Sequence, residues 1–206
     1  MKLRIKPVEY NGMRLDEVGE GVVRAFYPLI GGFHILRPLR ISNAPAHYFS
    51  ESWHSTPYSA PFFRTEKYPP YHAGVDAERF LYFILRYGEP VLGITSLPVL
   101  DIRRDIMYGK ALSGAERSSF VSTYSKEFGP VDSDDHLGKL IRLSIHEVGH
   151  TFGLEHHDNH VEIASNLCPM EDGHRDYALG GHITWSEFLL ASNTRLCDQC
   201  REQLGI

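Results

Sequence analysis

The sequence predicts an α/β (α+β) fold in which strands and helices alternate from the N-terminus and one long helix carries the chemistry. Three observations lead there. Leu3 and Ile5 alternate with Lys2, Arg4 and Lys6, the period of a half-buried strand. Leu15, Val18, Val22 and Phe26 recur at helical spacing. Leu140, Ile141, Leu143, Ile145, Val148 and Phe152 supply a second apolar helix pattern around a cluster of histidines. At 206 residues and 42% hydrophobic content, the chain suits one domain with an ample core.

In chain order, the first strand reaches Pro7, which ends it or marks an edge. Residues 13–27 read as an amphipathic helix, weakened by Gly19 and Gly21. Phe33, Ile35, Leu39 and Ile41 suggest a second strand bent at Pro38, and strand, helix, strand is compatible with a parallel βαβ unit. Residues 42–74 hold five prolines and eight aromatics without a period. They read as a largely irregular excursion held down by its rings as a satellite hydrophobic cluster, with a substrate-contacting rim as the alternative. His47, His54 and His72 receive no role there. Asp76 is placed to cap a helix over 77–87, and Val91–Thr95 is a short buried strand. Ser118–Tyr124 is a further strand, with Gly114 in the turn before it, and Asp134 or Asp135 is placed to cap the histidine-bearing helix.

That helix contains His146-Glu147-Val148-Gly149-His150. Four-residue spacing puts both imidazoles on one helical face, about a turn apart, where they can hold one Zn²⁺. Gly153 can take a positive φ and end the helix in a turn that brings His156 back as a third nitrogen ligand. Three ligands leave one position open, the pattern of a catalytic zinc. Glu147 lies beside the first ligand, within reach of a water on the metal. The cysteines, Cys168, Cys197 and Cys200, number three and do not form an even disulfide set. They read as metal ligands in a reducing compartment, and Cys197-x-x-Cys200 is the usual half of a structural zinc site.

Taken together, the histidine motif, Cys168-Pro169-Met170 and Cys197-x-x-Cys200 resemble the archaemetzincin family of metzincin-like zinc metallopeptidases, over about residues 140–200. The resemblance implies a metzincin-like fold with a mixed twisted sheet backed by helices, an active-site helix and a small C-terminal lobe tied by zinc. It divides a single domain, 1–206, into a lobe of 1–153 and a lobe of 154–206. It implies two Zn²⁺: a catalytic ion on His146, His150 and His156, and a structural ion on Cys168, Cys197 and Cys200. His157 stands where the family usually has Cys and is the expected fourth structural ligand, with His160 and Asp158 as alternatives. Met170 would lie in a turn packing beneath the catalytic ligands. Residues Ile106–Ala111 would form an exposed edge pairing with an extended substrate, the alternative being an edge that faces solvent. The chain departs from the family at His157, at Gly173 where Ser is common, and in longer spacers on either side of Cys168-Pro169-Met170.

The expected activity is peptide-bond hydrolysis by zinc-bound water activated by Glu147. A zinc-stabilised peptide-binding protein with little or no turnover is the rival. A zinc hydrolase with a downstream carboxylate ligand such as Glu187 is the other. His174, Tyr177 and His182 are candidates for the cleft wall. A net charge of −5 and a pI near 6.2 argue against nucleic-acid or anionic-membrane partners. Without an apolar export or spanning segment, the expectation is a cytoplasmic monomer acting on peptide or protein substrates.

Overall fold

The computed structural model describes residues 1–50, 60–65, 67, 73–85, 87, 89–101, 103, 105–112, 117–157, 167–171 and 193–206. Asp158, His160, Gly173, His174, Tyr177, His182, Glu187, Gly114, His54 and His72 lie outside them. The elements begin with β1 (Lys2–Val8), α1 (Leu15–Phe26), β2 (Gly32–Ile35), β3 (Phe49–Ser50), β4 (Phe62–Arg64), β5 (Ala73–Asp76) and α2 (Ala77–Leu85). There follow β6 (Val91–Thr95), β7 (Val99–Leu100), β8 (Ile106–Met107), β9 (Gly109–Leu112), β10 (Ser118–Ser122), α3 (Asp134–Thr151) and α4 (Asp198–Leu204).

One sheet runs in the order β2-β1-β6-β10-β9. β1 is parallel to β2, with Leu3 opposite Phe33, and β6 is parallel to both β1 and β10. β9 alone runs antiparallel, at the edge, with Gly109 opposite Val121. The sheet is mixed and backed by helices, as expected. Leu3, Ile5, Leu92, Ile94 and Val121 pack with α1 and α3 in one core. Val8, Val91 and Phe120 share the other core with α2, through Phe80, Leu81, Phe83 and Ile84. Alternate residues of β6 thus serve opposite faces, because successive strand side chains point opposite ways.

Four expectations change. The second strand stops at Ile35, since Pro38 has no N–H for the ladder; the chain then rejoins β1 through Leu39 N–H to the Pro7 carbonyl, 3.0 Å. Gly19 and Gly21 do not weaken α1. A Cβ on Gly19 would lie 2.5 Å from the Phe33 ring, and one on Gly21 2.7 Å from Ile141, so the glycines permit close packing on β2 and α3. The described part of 42–74 is not irregular: β3, β4 and β5 join β7 and β8 in a second sheet, ordered β3-β4-β5-β7-β8. Its rings do form a hydrophobic cluster, with Tyr48 edge-on to Phe83 at 5.2 Å and Phe62 edge-on to Phe83 at 5.8 Å. Finally, the edge expected at 106–111 is two edges. Ile106 and Met107 border the second sheet, whereas Gly109–Leu112 border the first.

Candidate metal centres

α3 is positioned before it is armed. Ser133, not Asp134 or Asp135, caps it: its Oγ accepts from the His136 N–H at 3.1 Å. The two aspartates sit in the first turn, where they complement the helix dipole. Leu140, Leu143, Ile145 and Val148 are almost wholly buried, each contributing about 1.5–3 kcal/mol of transfer free energy. The helix ends where Gly153 turns left-handed, at φ +83°. Gly153 N–H then donates to His150 O at 3.0 Å and Leu154 N–H to Gly149 O at 3.1 Å, the paired bonds of a Schellman motif.

The reversed chain returns His156 to the other two imidazoles. The Nε2 atoms of His146 and His150 are 3.2 Å apart, those of His150 and His156 3.1 Å, and those of His156 and His146 3.2 Å. Nitrogens bound at roughly 2.0–2.1 Å to one tetrahedral zinc stand about 3.3 Å apart. In two of the rings the opposite nitrogen is occupied: His146 Nδ1–H donates to Pro169 O at 2.6 Å and His150 Nδ1–H to Leu154 O at 2.8 Å. That tautomer leaves the Nε2 lone pairs of His146 and His150 facing one another, an arrangement a cation relieves. The donor set therefore fits a zinc ion with three protein ligands. His146 is buried, His150 half-buried and His156 exposed, so the tripod opens to solvent.

Electrostatics agree with neutral imidazoles at His146 and His150. Burial, reinforced by His150, pushes His146 down to about 3, and burial lowers His150 as well. Burial alone pushes the Glu147 carboxyl up to about 8. Glu147 is 6% exposed and lies against β9 at Gly109.

A second group joins His157, Cys168, Cys197 and Cys200, all four donor atoms lying within 4.8 Å of one another. The Cys168 and Cys200 sulfurs are 3.8 Å apart. That is far beyond a disulfide bond of about 2.05 Å, and it matches the spacing of about 3.8 Å for thiolates on one tetrahedral zinc. His157 Nε2 is 3.1 Å from Cys200 Sγ and 3.3 Å from Cys197 Sγ. Cys197 precedes α4, and its N–H donates to Cys168 Sγ at 3.4 Å. The Cys168 thiol is pushed down, chiefly by its hydrogen bond with Cys200 and then by the Cys197 and Met170 backbone N–H groups; Cys200 is correspondingly pushed up. Four protein donors close this group, unlike the tripod.

Cys168-Pro169-Met170 links the two groups. Cys168 supplies a sulfur to one, and Pro169 O orients His146 in the other. Met170 is fully buried against α3, where a Cβ on Gly149 would lie 2.4 Å from its Sδ. Its carbonyl accepts from His157 N–H at 3.3 Å. Sequence reasoning missed the clamp on this segment. Arg142, fully buried, donates to Leu167 O at 2.9 Å, Cys168 O at 3.1 Å and Asn193 O. The available signal was an arginine one turn before His146, inside the apolar stretch Leu140–Ile145. Among the described residues no helix is long and apolar enough to cross a membrane.

No protein-family model matches the chain. It is 36% identical over 97 residues to an archaemetzincin of Haloquadratum walsbyi, a match spanning 40% of this chain and about half, 53%, of that relative. Among solved structures, an archaemetzincin from Methanopyrus kandleri superposes with a TM-score of 0.62 at 20% identity, covering 100% of this chain and 93% of that one. A zinc-dependent peptidase from Methanocorpusculum labreanum gives 0.59 at 18%, and an archaemetzincin from Archaeoglobus fulgidus, solved with malonate, gives 0.56 at 17%. Each of these two covers 98% of this chain and 99% of that structure. The fold is that of the archaemetzincins, and the resemblance read from residues 140–200 is borne out.

Proposed function

We propose that the chain is a zinc-dependent metallopeptidase, a hydrolase acting on peptide or protein substrates. One observation carries the proposal: three imidazole nitrogens 3.1–3.2 Å apart, two of them with Nδ1 engaged by backbone carbonyls, on a helix that also bears a buried glutamate. His146, His150 and His156 are the catalytic zinc ligands. When bound, zinc supplies Lewis acidity, acidifying a water toward roughly pH 7 and polarising the scissile carbonyl.

Glu147 is the general base. Its carboxylate takes the proton of the attacking water and passes it to the leaving amine. Burial raises its pKa, and a zinc ion on the tripod would favour the carboxylate form. Pro169 and Leu154 carbonyls hold the His146 and His150 rings in the ligating tautomer. Cys168, Cys197, Cys200 and His157 hold a structural zinc that ties α4 to the end of α3, beside His156. Met170 packs beneath the ligand helix as the turn methionine. The lobes are 1–153 and 154–206. Three cysteines that serve as metal ligands and form no disulfide suit a reducing, cytoplasmic setting.

Digestion of a broad peptide library, with and without chelator, tests the proposal. Cleavage by the zinc-loaded protein that chelator abolishes and Glu147→Ala removes, with zinc retained, is the expected result. Intact peptides that bind without being cut would favour a peptide-binding protein. Cleavage by metal-loaded Glu147→Ala would reject the role given to that residue.

A further inference from the structure

Gly109 stands on the edge strand β9 against the side chain of Glu147. A Cβ at Gly109 would lie 2.2 Å from Glu147 Oε1, 2.5 Å from Cδ and 2.7 Å from Cγ. Carbon atoms in favourable contact are roughly 3.5–4.0 Å apart, so these positions are mutually exclusive. The backbone does not demand glycine there. Gly109 is not a positive-φ residue, and it sits in regular antiparallel register opposite Val121. Glycine inside a strand costs order and leaves nothing to pack; it marks a close approach. Here the approaching group is a carboxyl stem.

Neither partner can readily withdraw. Rotating the carboxylate alone would not relieve the overlap, because Cγ is involved as well as Oε1. Glu147 is 6% exposed, between the buried residues His146 and Val148 on α3. β9 is held from both sides of Gly109: Tyr108 packs on Phe128 with centroids 6.5 Å apart and accepts from Ser122 N–H at 2.7 Å, and Lys110 pairs with Glu78 at 3.5 Å.

We propose that Gly109 is a positioning residue whose missing side chain is the socket for the Glu147 carboxyl group. The edge strand thereby fixes the aim of the proton acceptor by shape alone. The catalytic consequence rests on the general-base role given to Glu147; the packing claim does not. The three atoms nearest a Cβ at 109 all belong to Glu147 and none to a metal ligand, so alanine there strikes the carboxylate first.

A double-mutant cycle on thermal stability separates the two. Gly109→Ala should lower the Tm of the zinc-loaded protein by about 4 °C, as overpacking does. In a Glu147→Ala background the same change should cost about 1 °C or less, because the group it strikes is gone and alanine restricts the unfolded chain. If Gly109→Ala alone fails to fold while Gly109→Ala/Glu147→Ala folds, the socket is upheld. Equal losses in both backgrounds, or failure of both to fold, would overturn it. The second arm reads catalysis: Gly109→Ala should keep two zinc per chain and KM while kcat falls about 100-fold. Glu147→Asp, one methylene shorter, should then lose less in the Gly109→Ala background than in wild type. Independent effects of the two changes would count against positioning. A wild type without turnover would reject the peptidase proposal and leave the stability cycle to decide the socket.

Discussion

Replacing Arg142 with methionine tests whether a buried guanidinium holds the segment shared by the two metal groups. Arg142 is fully buried and donates to the carbonyls of Leu167, Cys168 and Asn193. A hydrogen bond to a charged group contributes about 1.5–3 kcal/mol, and two buried carbonyls and one partly buried carbonyl would be left without it. Methionine fills similar volume and removes the cost of burying a cation, which offsets part of the loss. The net destabilisation is about 3–5 kcal/mol, the scale of breaking a buried polar network from one side. For a chain of this size each kcal/mol moves Tm by roughly 2–4 °C, so a fall of about 10 °C is expected. Scanning calorimetry at fixed free zinc reads it. Because Cys168 belongs to the released segment, zinc should also leave the cysteine group sooner in a chelator competition. A Tm within about 2 °C of wild type, with unchanged zinc release, would refute the clamp.

Two further outcomes follow from local geometry. Gly153→Ala forces a Cβ into the left-handed region at φ +83°, which costs about 1–2 kcal/mol; because that turn returns His156, the tripod should lose zinc affinity while the cysteine group keeps its own, as a two-site competition titration would show. His136 is 1% exposed and its pKa is lowered, chiefly by burial. The unfolded chain therefore binds a proton there more readily than the folded one, so this contribution is complete above the ordinary histidine value of about 6.5 and is lost as pH falls through the lowered folded value. His136→Gln should flatten the decline of Tm between about pH 7 and pH 5 in zinc-loaded protein; an unchanged slope would contradict that assignment.

Local chemistry explains what was legible in the sequence. The helix over His146–His150 carries its own period, and Gly153 marks the reversal that returns His156, so the tripod follows from spacing. His157 as the fourth member of the cysteine group came from resemblance, and its ring stands among those sulfurs. The second sheet was not legible. β3, β7 and β8 have two residues each, too few to show alternation, and β5 reaches β7 across α2 and β6. The single edge expected at 106–111 failed for a related reason: the break at Tyr108 transfers the chain between sheets in one residue, and the glycine after it lies within β9 rather than in a turn. Ser133 displaced the aspartates as cap because all three are good caps, and only the helix register selects among them. Arg142 and Gly109 act through partners distant in sequence; an arginine in an apolar stretch and a glycine in a strand mark the positions, but no local pattern names those partners.

Zinc-edge anomalous diffraction from zinc-replete crystals tests the central claim most directly. The account predicts two peaks: one at roughly 2.0–2.1 Å from Nε2 of His146, His150 and His156 with a free position toward solvent, and one among His157, Cys168, Cys197 and Cys200. A single peak among the sulfurs, with His156 turned away from the other two rings, would contradict it.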